Sequence, residues 1–95
     1  MTAEQVFEMN KFGRTLTDRP DGKKAYADIL GSGKTITTLD FRGVMSLGSS
    51  FGDEIVPPLA RANGNTIAVK NANMAIRDCL QKIVEDTGIN VEFES

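Results

Sequence analysis

Apolar and polar positions change period several times along the 95-residue chain, and each change marks an element. Residues 5–9, QVFEM, place Val6, Phe7 and Met9 in a short run that reads as a strand. Residues 10–18 interrupt the pattern with Gly13 and several polar side chains. Pro20 and Asp21 then open a helix through Leu30, because a proline in the first turn gives up an N–H that has no helical partner anyway. Tyr26, Ile29 and Leu30 share one face of it with Ala25 beside them, and Gly31 supplies a stop. Residues 35–41, TITTLDF, are rich in β-branched side chains and predict the most buried strand.

Residues 43–48 form a connection, and Ser49 or Ser50 is expected to cap the next helix, with Ser50 and Asp53 as a loose capping box. Phe51, Ile55 and Leu59 recur at helical spacing and point to the core. Pro57 and Pro58 lack amide hydrogens and crowd the carbonyls of Asp53 and Glu54, which predicts a kink, a break or two short turns. The Asn-Gly-Asn turn at 63–65 leads to a strand over 66–70, TIAVK, and residues 71–73, NAN, end it. Asn73 is placed to cap a long helix over 74–87, where Ile76, Leu80, Ile83 and Val84 make one stripe. Gly88 stops it, and Ile89, Val91 and Phe93 alternate with Asn90, Glu92 and Glu94 as a half-exposed last strand. The order βαβαβαβ predicts an α/β fold: a small four-stranded sheet, largely parallel or mixed, with three helices, as a single domain over 1–95.

Composition narrows what such a domain does. Forty per cent hydrophobic and 25% charged residues match an ordinary globular chain, and no apolar run is long enough to span a bilayer. The first residues carry neither a basic lead nor an apolar segment, and the single cysteine, Cys79, has no internal partner; both fit a cytoplasmic protein with no membrane attachment. A net charge of −2 with scattered lysines and arginines argues against nucleic acid. The absence of histidine removes the usual metal ligand and the usual general base, so neither a metal nor a cofactor is expected. Cys79 reads as a buried, inert thiol on the flank of the last helix.

GSGKT at 31–35 has the look of a phosphate-binding loop, but Asp28 stands where the first glycine belongs and the flanking elements come in the wrong order. A Gly/Ser turn is the better reading, with Lys34 solvated. Asp40, near a strand end, needs a donor such as Arg42 or a loop amide. In an open α/β sheet, ligands and partners gather beyond the carboxyl ends of the strands. That edge collects Asp40, Lys70, Asn71, Asn73 and the loop from Gly48 to Asp53.

The run LDFRGVMSLGSSFGDEI, with Gly13-Arg14, Arg19, Gly22 and the later NAN, resembles the STAS-like domains, relatives of the sulphate-transporter and anti-sigma-factor-antagonist domain. In that group a strand ending in Asp-Phe is followed by a Gly-Val turn, a Ser-Ser-Phe and an acidic helix start. The resemblance implies a non-catalytic regulatory domain of the partner-switching type. It places a regulatory phosphate on Ser49, or on its neighbour Ser50, put there by a histidine-kinase-like ATPase or serine kinase. Gly48 and Phe51 stand where the better-known antagonists carry aspartate and glycine, and the Ser-Ser-Phe form suits the STAS-like group. The contact surface would comprise Ser46, Gly48, Ser49, Ser50, Phe51, Asp53 and Glu54.

Read from the residues alone, a serine at a helix start is a plain cap before it is a phosphosite. The second reading is a small-molecule or nucleotide-sensing domain using Asp40, Lys70, Asn71, Asn73 and the helix amides. An enzyme built on Asp40, Asp53 and Lys70 is the weakest reading, because their spacing fixes no mechanism. A homo-oligomer through Phe93 and the edge of the last strand is a further expectation.

Overall fold

A computed structural model describes residues 5–94. The main sheet holds β1 (Val6–Glu8), β3 (Thr38–Asp40), β5 (Thr66–Lys70) and β6 (Asn90–Glu94) in the order β1-β3-β5-β6, and every neighbouring pair is parallel. Between them run α1 (Arg19–Gly31), α2 (Ser49–Ala62) and α3 (Met74–Thr87). The expected four-stranded, three-helix α/β architecture is therefore present, and its sheet is parallel throughout. Two very short strands, β2 (Thr15–Leu16) and β4 (Ser46–Leu47), pair in parallel as a separate ribbon inside stretches that read as loops. Met9 is not strand either: it begins a 3-10 turn over Met9–Phe12 and lies buried in the core.

The register aligns three rows across the sheet. Phe7, Leu39, Val69 and Phe93 form the middle row. They face the helices: Phe7 stacks on Phe12, Phe12 meets Phe51 of α2, and Arg77 of α3 lies over Phe93. On either side of it stand Val6, Thr38, Ala68 and Glu92, and Glu8, Asp40, Lys70 and Glu94. These point to the opposite face, because side chains alternate along a strand. Helix α2 sits between α1 and α3 and also packs on β5. One core results, built from Leu39, Phe41, Ile67 and Val69 beneath Ile29, Phe51, Ile55, Leu59, Ile76, Leu80 and Ile83.

Two expectations about α2 fail. The helix is continuous through Pro57 and Pro58, so neither the break nor the pair of short turns forms. Proline's backbone angle suits a helix, and only two amide donors are lost; burial of Val56, Pro57, Leu59 and Ala60 holds the turn that propensity alone would end. The N-cap is Gly48 rather than a serine, no side chain caps the helix, and no acidic residue falls in its first turn, so the Ser50–Asp53 capping box does not form. Gly48 is held in place by its neighbours: its N–H donates to the Leu16 carbonyl at 2.8 Å, and a Cβ on it would stand 3.2 Å from Thr17 Cα.

The other ends follow the sequence. Asn73 caps α3, its side-chain oxygen accepting from the Ile76 N–H at 2.9 Å, and Gly88 closes the helix in the left-handed conformation at φ 75°. The GSGKT segment is a turn at the end of α1, with the Ser32 hydroxyl donating to the Ile29 carbonyl and Gly33 at φ 71°. No helix among the described residues is long and apolar enough to cross a membrane.

Candidate functional site

The carboxyl ends of β3 and β5 bring the expected edge residues together. Asp40 Oδ1 accepts from the Arg42 backbone N–H and from Asn71 Nδ2, both at 2.9 Å, so loop donors hold this carboxylate rather than the Arg42 guanidinium. Asn71 adopts φ 58°, a left-handed backbone that asparagine tolerates better than most residues. Lys70 lies in register with Asp40 on one side and Glu94 on the other, and its ammonium stands 3.9 Å from the Glu94 carboxylate. Asn73 spans two elements: while its oxygen caps α3, its Nδ2 donates to the Met45 carbonyl at 2.9 Å. It thereby ties the start of α3 to the residue that precedes Ser46.

The loop carrying Ser46 and Gly48 is pinned from below. Met45 and Ser46 N–H groups donate to the Arg14 carbonyl, and the β2–β4 ribbon follows at once. From this support Ser49 emerges exposed as the first residue of α2, with Ser50 half-buried behind it. Met45 and Met74 flank the region with 58% and 73% of their surface exposed. Loss of the Asn73 side chain should loosen both elements. Asn73→Ala is expected to cost about 1–2 kcal/mol, the upper part of the usual cap range. Urea unfolding would show it as a lower midpoint with unchanged slope.

Not all the expected contact residues share this surface. Phe51 is 1% exposed and Gly52 is also buried, so Phe51 serves the core and cannot be a contact residue in the folded domain. Asp53 is exposed one turn into the helix, whereas Glu54 turns toward α1 and pairs with Arg19 at 2.9 Å. Ser46, Gly48, Ser49, Ser50 and Asp53 remain accessible in whole or in part.

Beside Ser49 opens a shallow cleft of about 280 Å³ lined by Leu47, Ser49, Asp78, Cys79 and Lys82. Sequence reasoning missed Asp78 and Lys82, which lie on the polar side of α3; their one signal is that they are four apart and so share a helix face. Burial raises the Cys79 thiol pKa, Asp53 raises it further, and Lys82 opposes them. The thiol therefore stays protonated and poorly nucleophilic at neutral pH. Among the described residues no group of three or more His, Cys, Asp or Glu side chains could hold a metal ion.

A parallel sheet with sequential crossovers, whose strand β3 ends at Asp40 with Phe41 next and is followed by an exposed serine at the start of the second helix, is the α/β arrangement that the STAS-like resemblance implies. The family model described as "STAS-like domain of unknown function (DUF4325)" matches residues 21–77. The chain belongs to that family, whose matched span takes in α1 from Asp21 onward, α2, β5 and the loop before Ser49. Searches of curated proteins and of solved structures found no match. STAS-like domains are non-catalytic and in general act in protein partner-switching systems.

Proposed function

We propose that this chain is a cytoplasmic regulatory domain that binds another protein through Ser46, Gly48, Ser49, Ser50 and Asp53, and that a phosphate on Ser49 releases the partner. The observation that carries the reading is the exposed Ser49 at the first position of α2, in a domain whose exposed Met45 and Met74 adjoin each other through the Asn73–Met45 hydrogen bond. Flexible, accessible methionines adapt to a partner surface and lose water readily on contact. The first-turn amides of α2 have no side-chain cap, so a phosphate there meets free donors and the positive end of the helix. Lys82 lines the same cleft as Ser49 and supplies a counter-charge, while Asp78, also in its lining, and Asp53, near enough to raise the Cys79 pKa, oppose a dianion. Such a group changes the charge of the surface without entering the core. The partner is a histidine-kinase-like ATPase or serine kinase.

The ligand-sensing alternative draws less support, because Asp40, Asn71 and Asn73 use their polar atoms on one another and on nearby backbone. Ser49→Glu is expected to keep the fold, since an acidic residue at a helix start is favourable. Isothermal calorimetry would titrate a purified histidine-kinase-like ATPase of the same organism into the chain. Ser49→Glu should bind it at least about tenfold more weakly than the unmodified chain, in line with charge repulsion at a contact, and Ser49→Ala should bind as the unmodified chain does. Equal affinity for all three forms would sink the switch, and no binding by the unmodified chain would sink the partner assignment.

A further inference from the structure

Strand β6 closes one side of the main sheet, pairing with β5 over all five of its residues and with no strand beyond it among those described. The Asn90 N–H donates to the Asn65 carbonyl at 2.9 Å, which fixes the direction of every backbone group in the strand. Residues 90, 92 and 94 aim their N–H and C=O groups at β5, so Val91 and Phe93 aim theirs outward, along the open edge. The side chains alternate on the other axis. Val91 and Phe93 lie half-buried against the core, with Arg77 over the Phe93 ring, whereas Glu92 and Glu94 stand together on the opposite face. An outside segment pairing here would meet two backbone donors, two backbone acceptors, an apolar ledge on one side and two carboxylates on the other.

That combination is selective. A second copy of β6 brings the same carboxylates, and antiparallel pairing about the middle of the strand sets Glu92 against Glu92. Like charges directly opposite one another are unfavourable. The homo-oligomer anticipated at this edge is thus disfavoured by its own charges, a common device for blunting exposed strands. A strand of opposite charge meets no such barrier. We propose that the outer edge of β6 binds an extended segment of another protein in which lysine or arginine alternates with β-branched or aromatic residues. The basic residues face Glu92 and Glu94, the apolar ones extend the ledge of Val91 and Phe93, and the peptide backbone completes the edge as an added strand. Lys70, at 3.9 Å from Glu94, shares that carboxylate, which leaves Glu92 as the stronger selector.

The test uses the full chain and two synthetic seven-residue peptides, one alternating lysine with valine and the other glutamate with valine. Fluorescence anisotropy should show the basic peptide binding about tenfold more tightly than the acidic one, the effect expected of two cross-strand charge pairs changing sign. Glu92→Lys with Glu94→Lys should reverse the preference, with circular dichroism reporting the retained fold. Amide exchange should slow at Val91 and Phe93 in the basic complex and stay unchanged at Asn90 and Glu92, a pattern that only strand addition produces. Equal affinity for both peptides, binding without protection of Val91 and Phe93, or protection that rises with protein concentration in the absence of peptide would each overturn the proposal. The last result would make a second copy the occupant.

Discussion

Phe51→Ala is expected to remove about 3–5 kcal/mol of stability, the range for deleting a fully buried aromatic side chain. Phe51 is the second residue after Ser49, yet it is 1% exposed and meets Phe12, which in turn stacks on Phe7 of the first strand. Truncation there uncouples α2 from β1 and from the 3-10 turn at once. A domain of this size has a total stability of about 5–15 kcal/mol, so the variant would sit close to unfolding at 37 °C. Urea titration followed by circular dichroism gives the size of the loss. A change below about 1 kcal/mol would mean that Phe51 faces solvent after all, as a contact residue would.

Gly22→Val is expected to cost about 3 kcal/mol, at the upper end of what overpacking usually does. Gly22 is buried where α1 crosses α2, and a Cβ at this position would stand 2.9 Å from the Phe51 carbonyl oxygen and 3.1 Å from Phe51 Cα. Both obstacles are backbone, which cannot rotate aside. The two helices must move apart, and the ion pair from Arg19 to Glu54 crosses the same seam. A Cβ on Gly31, in the last turn of the same helix, meets nothing within 4 Å. Gly31→Ala should therefore leave the melting temperature unchanged or slightly raised, because alanine is the better helix former. If the two variants melted alike, close approach of the helices would not be what Gly22 provides.

The parts of the fold that were legible in the sequence are those whose signals are local. Strand β5 and helix α3 fall on the residues that period and punctuation indicated, because TIAVK lies between two asparagine turns and α3 has both an Asn cap and a Gly stop. What was not legible depends on distant partners. Gly48 takes the capping position from Ser49 since its N–H is claimed by Leu16 and a Cβ there would press on Thr17, some thirty residues earlier in the chain. A two-residue strand such as β2 or β4 has no period to read. Pro57 and Pro58 carry a strong local signal that the burial around them overrides.

The candidate site shows the same division. Its edge residues Asp40, Lys70, Asn71 and Asn73 were placed together by topology, and the fold does assemble them. Phe51 was misjudged because it carries two messages, one from its helical spacing and one from its place in the Ser-Ser-Phe run. Lys82 and Asp78 enter only when α3 is packed beside α2.

The sequential strand order also governs how the chain reaches its folded state. No two strands of the main sheet are joined by a hairpin; each neighbouring pair is separated by a whole crossover helix. Every ladder must therefore close a long loop before it gains a single contact, which makes the search slower than in a helical bundle of equal length. Yet each strand docks on the one that came before it in the chain. During synthesis the sheet can grow from β1 toward β6 in the order of translation, without waiting for a distant segment to be inserted between strands already paired.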